Sequence, residues 1–309
     1  MTKLNLEGDL MRDFIIMTDS CCDLPIEYIT EKNIPFVSLM CSFDGKEYPD
    51  DFGKSLNYKD FYRGMEKGVI PKTSQPNAQA FYKVFKEILE KTDKDILYIS
   101  VSTGLSGTYN SANIAKDMIR EEYKSREIAI VDSLTASLGQ GLLVIKAIDM
   151  KENGALLQEV VNNLENIKLN LNTYITVNDL NHLKRGGRIS PAAAFVGTIL
   201  HVKPILTLND EGKVIPVLKV KGRKNAINTL ANYVWMKIEN PEEAIISICH
   251  GDVKEEAEIL KGIILSKIKV KDIIFNYVGP VVGTYGGPGS LSVFFIGKHR
   301  QNHIIDVNL

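Results

Sequence analysis

Ile96-Leu97-Tyr98-Ile99-Ser100-Val101-Ser102-Thr103-Gly104-Leu105-Ser106-Gly107-Thr108-Tyr109 starts as a strand and ends as the beginning of a helix. Ile96 to Val101 has the length and apolar content of a buried strand, and the Ser/Thr/Gly turn feeds a helix from Tyr109 to Tyr123. The order then repeats as strand Ile128 to Val131, turn Asp132-Ser133 and helix Leu138 to Lys151. Strands alternating with helices specify an α/β fold with a mainly parallel, doubly wound sheet.

Working outward, residues 1–13 read as a flexible tail, and Phe14 to Met17 as a buried strand ended by Thr18-Asp19-Ser20. Pro25 starts a short helix, Ile34 to Phe43 alternates like one strand, and Asp44-Gly45 has hairpin chemistry. Asn57 caps a helix from Tyr58 to Lys67 that Gly68 ends. Ala78, Phe81, Tyr82, Phe85, Ile88 and Leu89 mark a helix to Lys91 with proline in its first turn. After the helix Leu156 to Leu169 the plan changes, so the boundary falls near 168–172, giving domains over 14–170 and 171–309. Beyond it, Thr173 to Val177 is a strand, and Pro204 to Leu208, the turn Asn209-Asp210-Glu211-Gly212 and Lys213 to Val220 form a hairpin. Helices Lys224 to Ile238 and Val253 to Ile268 alternate with strands Ala244 to Cys249 and Asp272 to Val278, ahead of a last strand Leu291 to Ile296. The second domain is therefore α/β with a mixed or antiparallel sheet.

The chain has 309 residues, more than the roughly 250–300 at which one core stops growing. Its 37 Lys plus Arg balance 38 Asp plus Glu, so no global field draws it to nucleic acid. The start of the chain is too polar for a signal peptide, and no apolar run reaches the roughly 18 residues of a membrane span, so a cytoplasmic protein is expected. Four cysteines, Cys21, Cys22, Cys41 and Cys249, lack disulfide or zinc spacing, and five histidines show no ligand pattern. No metal and no cofactor are expected.

In a doubly wound sheet, ligands sit beyond the carboxyl ends of the strands. In Ser102 to Thr108, Gly104 and Gly107 permit close backbone approach, the helix N-terminus favours negative charge, and Ser102, Ser106 and Thr108 offer hydroxyls. A helix cap accounts for one hydroxyl but not for two glycines and four hydroxyls. Thr73-Ser74-Gln75-Pro76 either binds a ligand or caps a helix, whereas Thr18-Asp19-Ser20 and Asp132-Ser133 suit capping, since acids repel an anion. Lys184-Arg185-Gly186-Gly187-Arg188 suits a phosphate, a carboxylate or an acidic partner, or is a solvated basic loop. Gly279 to Ser290 is glycine-dense, with Tyr285 its one bulky donor. No phosphate loop, dinucleotide fingerprint, nucleophile elbow, acid pair or Cys/His couple is evident, which fits binding better than catalysis.

Together these segments resemble the DegV family in sequence order: Thr18-Asp19-Ser20 with Asp23-Leu24-Pro25, Thr73-Ser74-Gln75-Pro76, Ser102 to Tyr109, Asp132-Ser133, Leu183 to Ile189, and Gly283-Thr284-Tyr285-Gly286-Gly287-Pro288-Gly289. The resemblance covers about Phe14 to Phe295 and implies two α/β domains enclosing one long-chain fatty acid. It also implies a non-catalytic, lipid-carrying subunit of bacterial fatty acid kinase that presents the acid to an ATP-binding subunit for acyl phosphate formation, in phospholipid metabolism, with peripheral or transient membrane contact. It puts Thr73 and Ser106 on the carboxylate and Arg188 near it, with Ser74, Gly107, Gly283, Thr284 and Tyr285 as further ligand-binding candidates and Lys184 and Arg185 facing the partner. Phe195, Ile199, Leu200 and Val281 are candidates for the tail. The family usually has histidine at the place of Tyr285, and small hydroxyl or alanine residues at Cys21-Cys22. The alternative is an enzyme acting on a small phosphorylated or carboxylated metabolite with Ser106 or Ser102 as nucleophile. A nucleic-acid module using Lys184, Arg185 and Arg188 is disfavoured by the neutral charge.

Overall fold

The computed structural model describes residues 12–189 and 202–300. The first half runs β1 (Phe14–Asp19), α1 (Ile26–Glu31), β2 (Phe36–Val37), β3 (Met40–Phe43), β4 (Lys46–Pro49), α2 (Tyr58–Glu66), β5 (Lys72–Ser74), α3 (Ala78–Lys91), β6 (Asp95–Ser100), α4 (Thr108–Arg120), β7 (Ile128–Asp132), α5 (Leu138–Glu152) and α6 (Leu157–Ile167). The second continues β8 (Leu171–Thr176), α7 (Asn181–Arg185), β9 (Val202–Leu208), β10 (Val214–Lys221), α8 (Arg223–Lys237), β11 (Ile245–His250), α9 (Lys254–Leu265), β12 (Asp272–Tyr277), α10 (Pro280–Gly286) and β13 (Leu291–Ile296).

β6 is buried over five of its six residues because helices cover both faces of the parallel sheet β2-β1-β6-β7. On one face Met17, Ile96 and Tyr98 meet Phe81, Phe85, Ala112, Ala115 and Ile119 from α3 and α4. Each large side chain buried there contributes roughly 1.5–3 kcal/mol of transfer free energy. On the other face Ile16, Leu97 and Ile99 meet Leu143, Val144, Ala147, Val160 and Leu164 from α5 and α6. The second sheet, ordered β10-β9-β8-β13-β11-β12, is antiparallel except for the β11/β12 pair. Helices α8 and α9 cover its outer face. Its inner face turns toward the first half, and α5 lies between the sheets. Leu138 to Val144 are all buried, as expected of a helix with no solvent side. A Cβ at Gly139 would lie 2.9 Å from the Phe294 ring on β13, so the glycine sets how closely α5 approaches.

Several local expectations change. The single strand expected over Ile34 to Phe43 is two: Phe36–Val37 pairs parallel to β1, while Met40–Phe43 joins a separate antiparallel sheet, β4-β3-β5. Ser20 Oγ takes the Leu39 N–H at 3.0 Å between them, and alternation reports a buried face, not a partner. Pro76 precedes the first turn of α3, whose cap is Asn77, accepting from Ala80 N at 3.0 Å. Lys72–Ser74 is a strand, the basic segment contains the one-turn helix α7, and the glycine-dense segment is helical over Pro280–Gly286 with proline at its start. Residues 1–11 of the expected tail, the tail candidates Phe195, Ile199 and Leu200, and residues 301–309 lie outside the described residues.

Candidate functional site

A cavity of about 400 Å³ opens between the inner face of the second sheet and the loops beyond β1, β6 and β7. That volume falls in the roughly 300–1,000 Å³ range of small-molecule sites. At one end Thr73, Ser74, Gln75, Ser106, Arg188 and Tyr285 line it. Its walls are apolar, with Leu105, Ile175, Val177, Leu183, Leu208 and Val281 among them, and Ala136, Ser137, Cys21, Thr173 and Phe294 also line it.

The polar end is assembled from four elements. β5 is held opposite Cys41 of β3, which fixes Thr73. Thr73 Oγ1 and Tyr285 Oη are 2.6 Å apart, a bond joining β5 to α10. Arg188 stacks its guanidinium 4.7 Å from the centre of the Tyr285 ring. Its Nε donates to Leu105 O at 3.0 Å and its Nη1 to Gly186 O at 2.6 Å, so the cation is tied to the Ser102–Thr108 turn. Gly186 lies against the same ring, where any Cβ would overlap it. Ser106 Oγ is 2.8 Å from Thr108 Oγ1 at the start of α4, where the helix N-terminus supplies partial positive charge. Hydroxyls, a helix N-terminus and one guanidinium around an apolar cavity match the needs of a carboxylate on a long apolar tail.

The turn glycines have another cause than ligand approach. A Cβ at Gly104 would collide with the Glu211 carbonyl in the β9–β10 turn, and one at Gly107 would lie 2.6 Å from Gln75 Oε1, which accepts the Gly107 N–H at 2.9 Å. Ser102 is fully buried and donates to Gly212 O at 3.1 Å. These residues join the turn to its neighbours and leave Ser106 to the cavity. Gly283 packs on Tyr62, and Thr284 donates to Pro280 O at 2.8 Å. Like Gly107, neither lines the cavity. Lys184 and Arg185 are exposed, and Arg185 Nη2 is 3.1 Å from His182 Nδ1. Asp132 joins two turns, accepting from Leu134 N at 3.0 Å in its own and from Thr103 Oγ1 at 2.6 Å in the Ser102–Thr108 turn.

Sequence reasoning missed most of the walls. Thr173 and Ile175 on β8 and Val177 just after it alternate toward the cavity, a signal present in the sequence, but the partner surface is not. Ser137 is the other omission. It starts α5 with φ 57° and ψ −150°, a conformation costing roughly 1–3 kcal/mol, and donates to Asp23 Oδ2 at 2.5 Å. Asp23 also accepts Gly279 N at 3.0 Å, and Asp50 accepts Val281 N at 3.3 Å, so two buried carboxylates hold the start of α10. Burial pushes the Asp23 carboxyl up to about 7, against the lowering effect of the Ser137 and Gly279 bonds. Burial raises Asp50 too, reinforced by the Asp23 charge. Among the described residues no cluster of three or more His, Cys, Asp or Glu is placed to hold a metal. No helix among them is long and apolar enough to cross a membrane.

The model for "Uncharacterised protein, DegV family" matches residues 13–298. The chain belongs to the DegV family. A DegV domain-containing protein of Clostridium perfringens is 42% identical over 291 residues, covering 94% of this chain and all of that protein. A fatty-acid-binding DegV protein from Thermus thermophilus has a structure superposing with TM-score 0.82 at 31% identity, over 93% of this chain and 100% of its own. A stearic acid-binding protein from Eubacterium ventriosum superposes with TM-score 0.82 at 27% identity, over 93% and 99%. The two-sheet α/β architecture is thus the DegV architecture.

Proposed function

We propose that this DegV protein binds one long-chain fatty acid in the cavity, with its carboxylate among Thr73, Ser106, Tyr285 and Arg188 and its tail along β8, β13 and α10. The observation carrying this reading is the one-ended polarity of the cavity: donors converge at one end, and apolar walls line most of the remainder. Ser74, Gln75 and Gly107 beside those donors are exposed, so a carboxylate held there is reachable from outside. On this reading the chain is the non-catalytic, cytoplasmic carrier that presents the acid to an ATP-binding kinase subunit, with Lys184 and Arg185 at the approach. Ser106 Oγ has a hydroxyl as its neighbour, and among the described residues no histidine, lysine or carboxylate hydrogen-bonds it, which supports carrier over hydrolase. We take the domains as 14–170 and 171–309, meeting at this cavity. Denaturing extraction of the purified protein, followed by mass spectrometry, is expected to release a long-chain fatty acid near one equivalent. Release of no acid, with no uptake of added acid, rejects the reading.

A further inference from the structure

The cavity floor carries hydroxyls for which the carboxylate has no use. On β13, Leu291, Val293 and Phe295 face the α8/α9 layer, so Ser292 and Phe294 face the cavity, and Ser290 lines it just before the strand. Ser290 is 2% exposed, and its Oγ has no hydrogen-bond partner among the described residues. Position 290 is crowded, since a Cβ at Gly251 would lie 2.5 Å from that Oγ and one at Gly286 3.1 Å from it. Crowding explains a small residue, a demand alanine meets. It does not explain a hydroxyl, because burying one unpartnered costs about 1–3 kcal/mol. Ser292, opposite Ile175 across the ladder and also lining the cavity, places a second hydroxyl on the same face two residues, or roughly 7 Å, further on. After it the floor becomes apolar at Phe294.

We propose that Ser290 and Ser292 form a second polar subsite, which takes an oxygen carried within the acyl chain, a hydroxyl or a keto group. The protein then accepts oxygenated fatty acids as well as plain ones. This inference rests on the fatty acid reading above. A chain hydroxyl restores the missing bond to Ser290 Oγ, whereas a methylene leaves it unpaired. Ser290 adjoins Gly286, next to Tyr285, so the oxygen belongs in the carboxyl-proximal half of the chain.

Calorimetric titration of the delipidated full chain with hexadecanoic acid and its monohydroxy positional isomers tests this. At least one carboxyl-proximal isomer is expected to bind within about threefold of the plain acid or more tightly. Ser290→Ala, alone or with Ser292→Ala, is expected to lower the affinity ratio of that isomer to the plain acid by about 5- to 30-fold. Taking the ratio within each variant cancels any change in the folded fraction. If every isomer binds more than about tenfold more weakly than the plain acid, or Ser290→Ala leaves the ratio unchanged, the subsite is refuted while the fatty acid reading stands. If neither plain nor hydroxylated acid binds, both fall together.

Discussion

At the scale of single residues the site turns on Tyr285. Its hydroxyl meets Thr73, its ring carries Arg188, and its ring face needs the bare Gly186. The guanidinium of Arg188 covers this phenol and brings positive charge to the polar end. Tyr285→Phe is expected to weaken fatty acid binding by about 5- to 10-fold, the worth of one net hydrogen bond. Adding Thr73→Ala in that background is expected to weaken it further by less than Thr73→Ala does alone, since the two share a bond. A titration calorimetry double-mutant cycle reads both, and full additivity refutes the coupling. Gly186→Ala forces a methyl into the ring and is expected to lower affinity more than Tyr285→Phe while α8 and α9, far from the overlap, keep their hydrogen-exchange protection. The donors were legible in sequence because each sits in a short polar or glycine-rich segment whose composition is local, although Thr73 lies on β5 and Tyr285 on α10. Gly104 was legible as special but not as to cause, because the Glu211 carbonyl that excludes its Cβ lies more than a hundred residues away.

At the scale of elements, α10 connects the two ends of the site. Its first turn is held by Asp23 and Asp50 from the first half of the chain, and its last turn carries Tyr285. The Asp23 carboxyl titrates near 7 when folded and near 4 when unfolded, so folding holds on to its proton. Stability from this group is complete below about pH 4 and is lost as pH rises through about 7, above which the deficit is constant. The raised Asp50 carboxyl acts in the same direction. Thermal melts of the ligand-free protein are therefore expected to show a destabilising slope between about pH 4 and 7, and Asp23→Asn to flatten it. An unchanged slope in the variant refutes the assignment to Asp23. This helix was hidden in sequence because Gly283, Gly286 and Gly287 read as loop. Its start at Pro280, the fixed-φ residue suited to a first turn, was the available signal. By contrast α3 declared itself through the helical spacing of Ala78, Phe81, Tyr82, Phe85, Ile88 and Leu89.

At the scale of the whole molecule, α5 joins the two sheets and the cavity runs past its start. Gly139 and Gly141 let this helix approach Phe294 on one side and Leu24 on the other, so one continuous set of buried side chains links both sheets. The parallel sheet was legible through β1, β6 and β7, each followed next by a helix, whereas β2, followed by β3, read as one strand with it. The cavity was not, since its walls come from β5, β8, β13 and α10, and no sequence period links them. A tail lying there touches both halves and stabilises their joint arrangement over any opened form. On the proposed function the acid binds the folded chain alone, so removing it withdraws roughly 4 kcal/mol if the acid is present at a thousand times its Kd. Delipidated protein is therefore expected to melt several degrees lower than the loaded form, and re-adding acid to restore the melting temperature in proportion to the logarithm of its concentration. Hydrogen exchange places the effect: amides of α5 and α10 that exchange by local opening are expected to gain more protection on loading than those of α9, across the outer face of the second sheet, which gain no more than the global stabilisation. Equal gains in both groups point instead to general stabilisation without a ligand between the sheets.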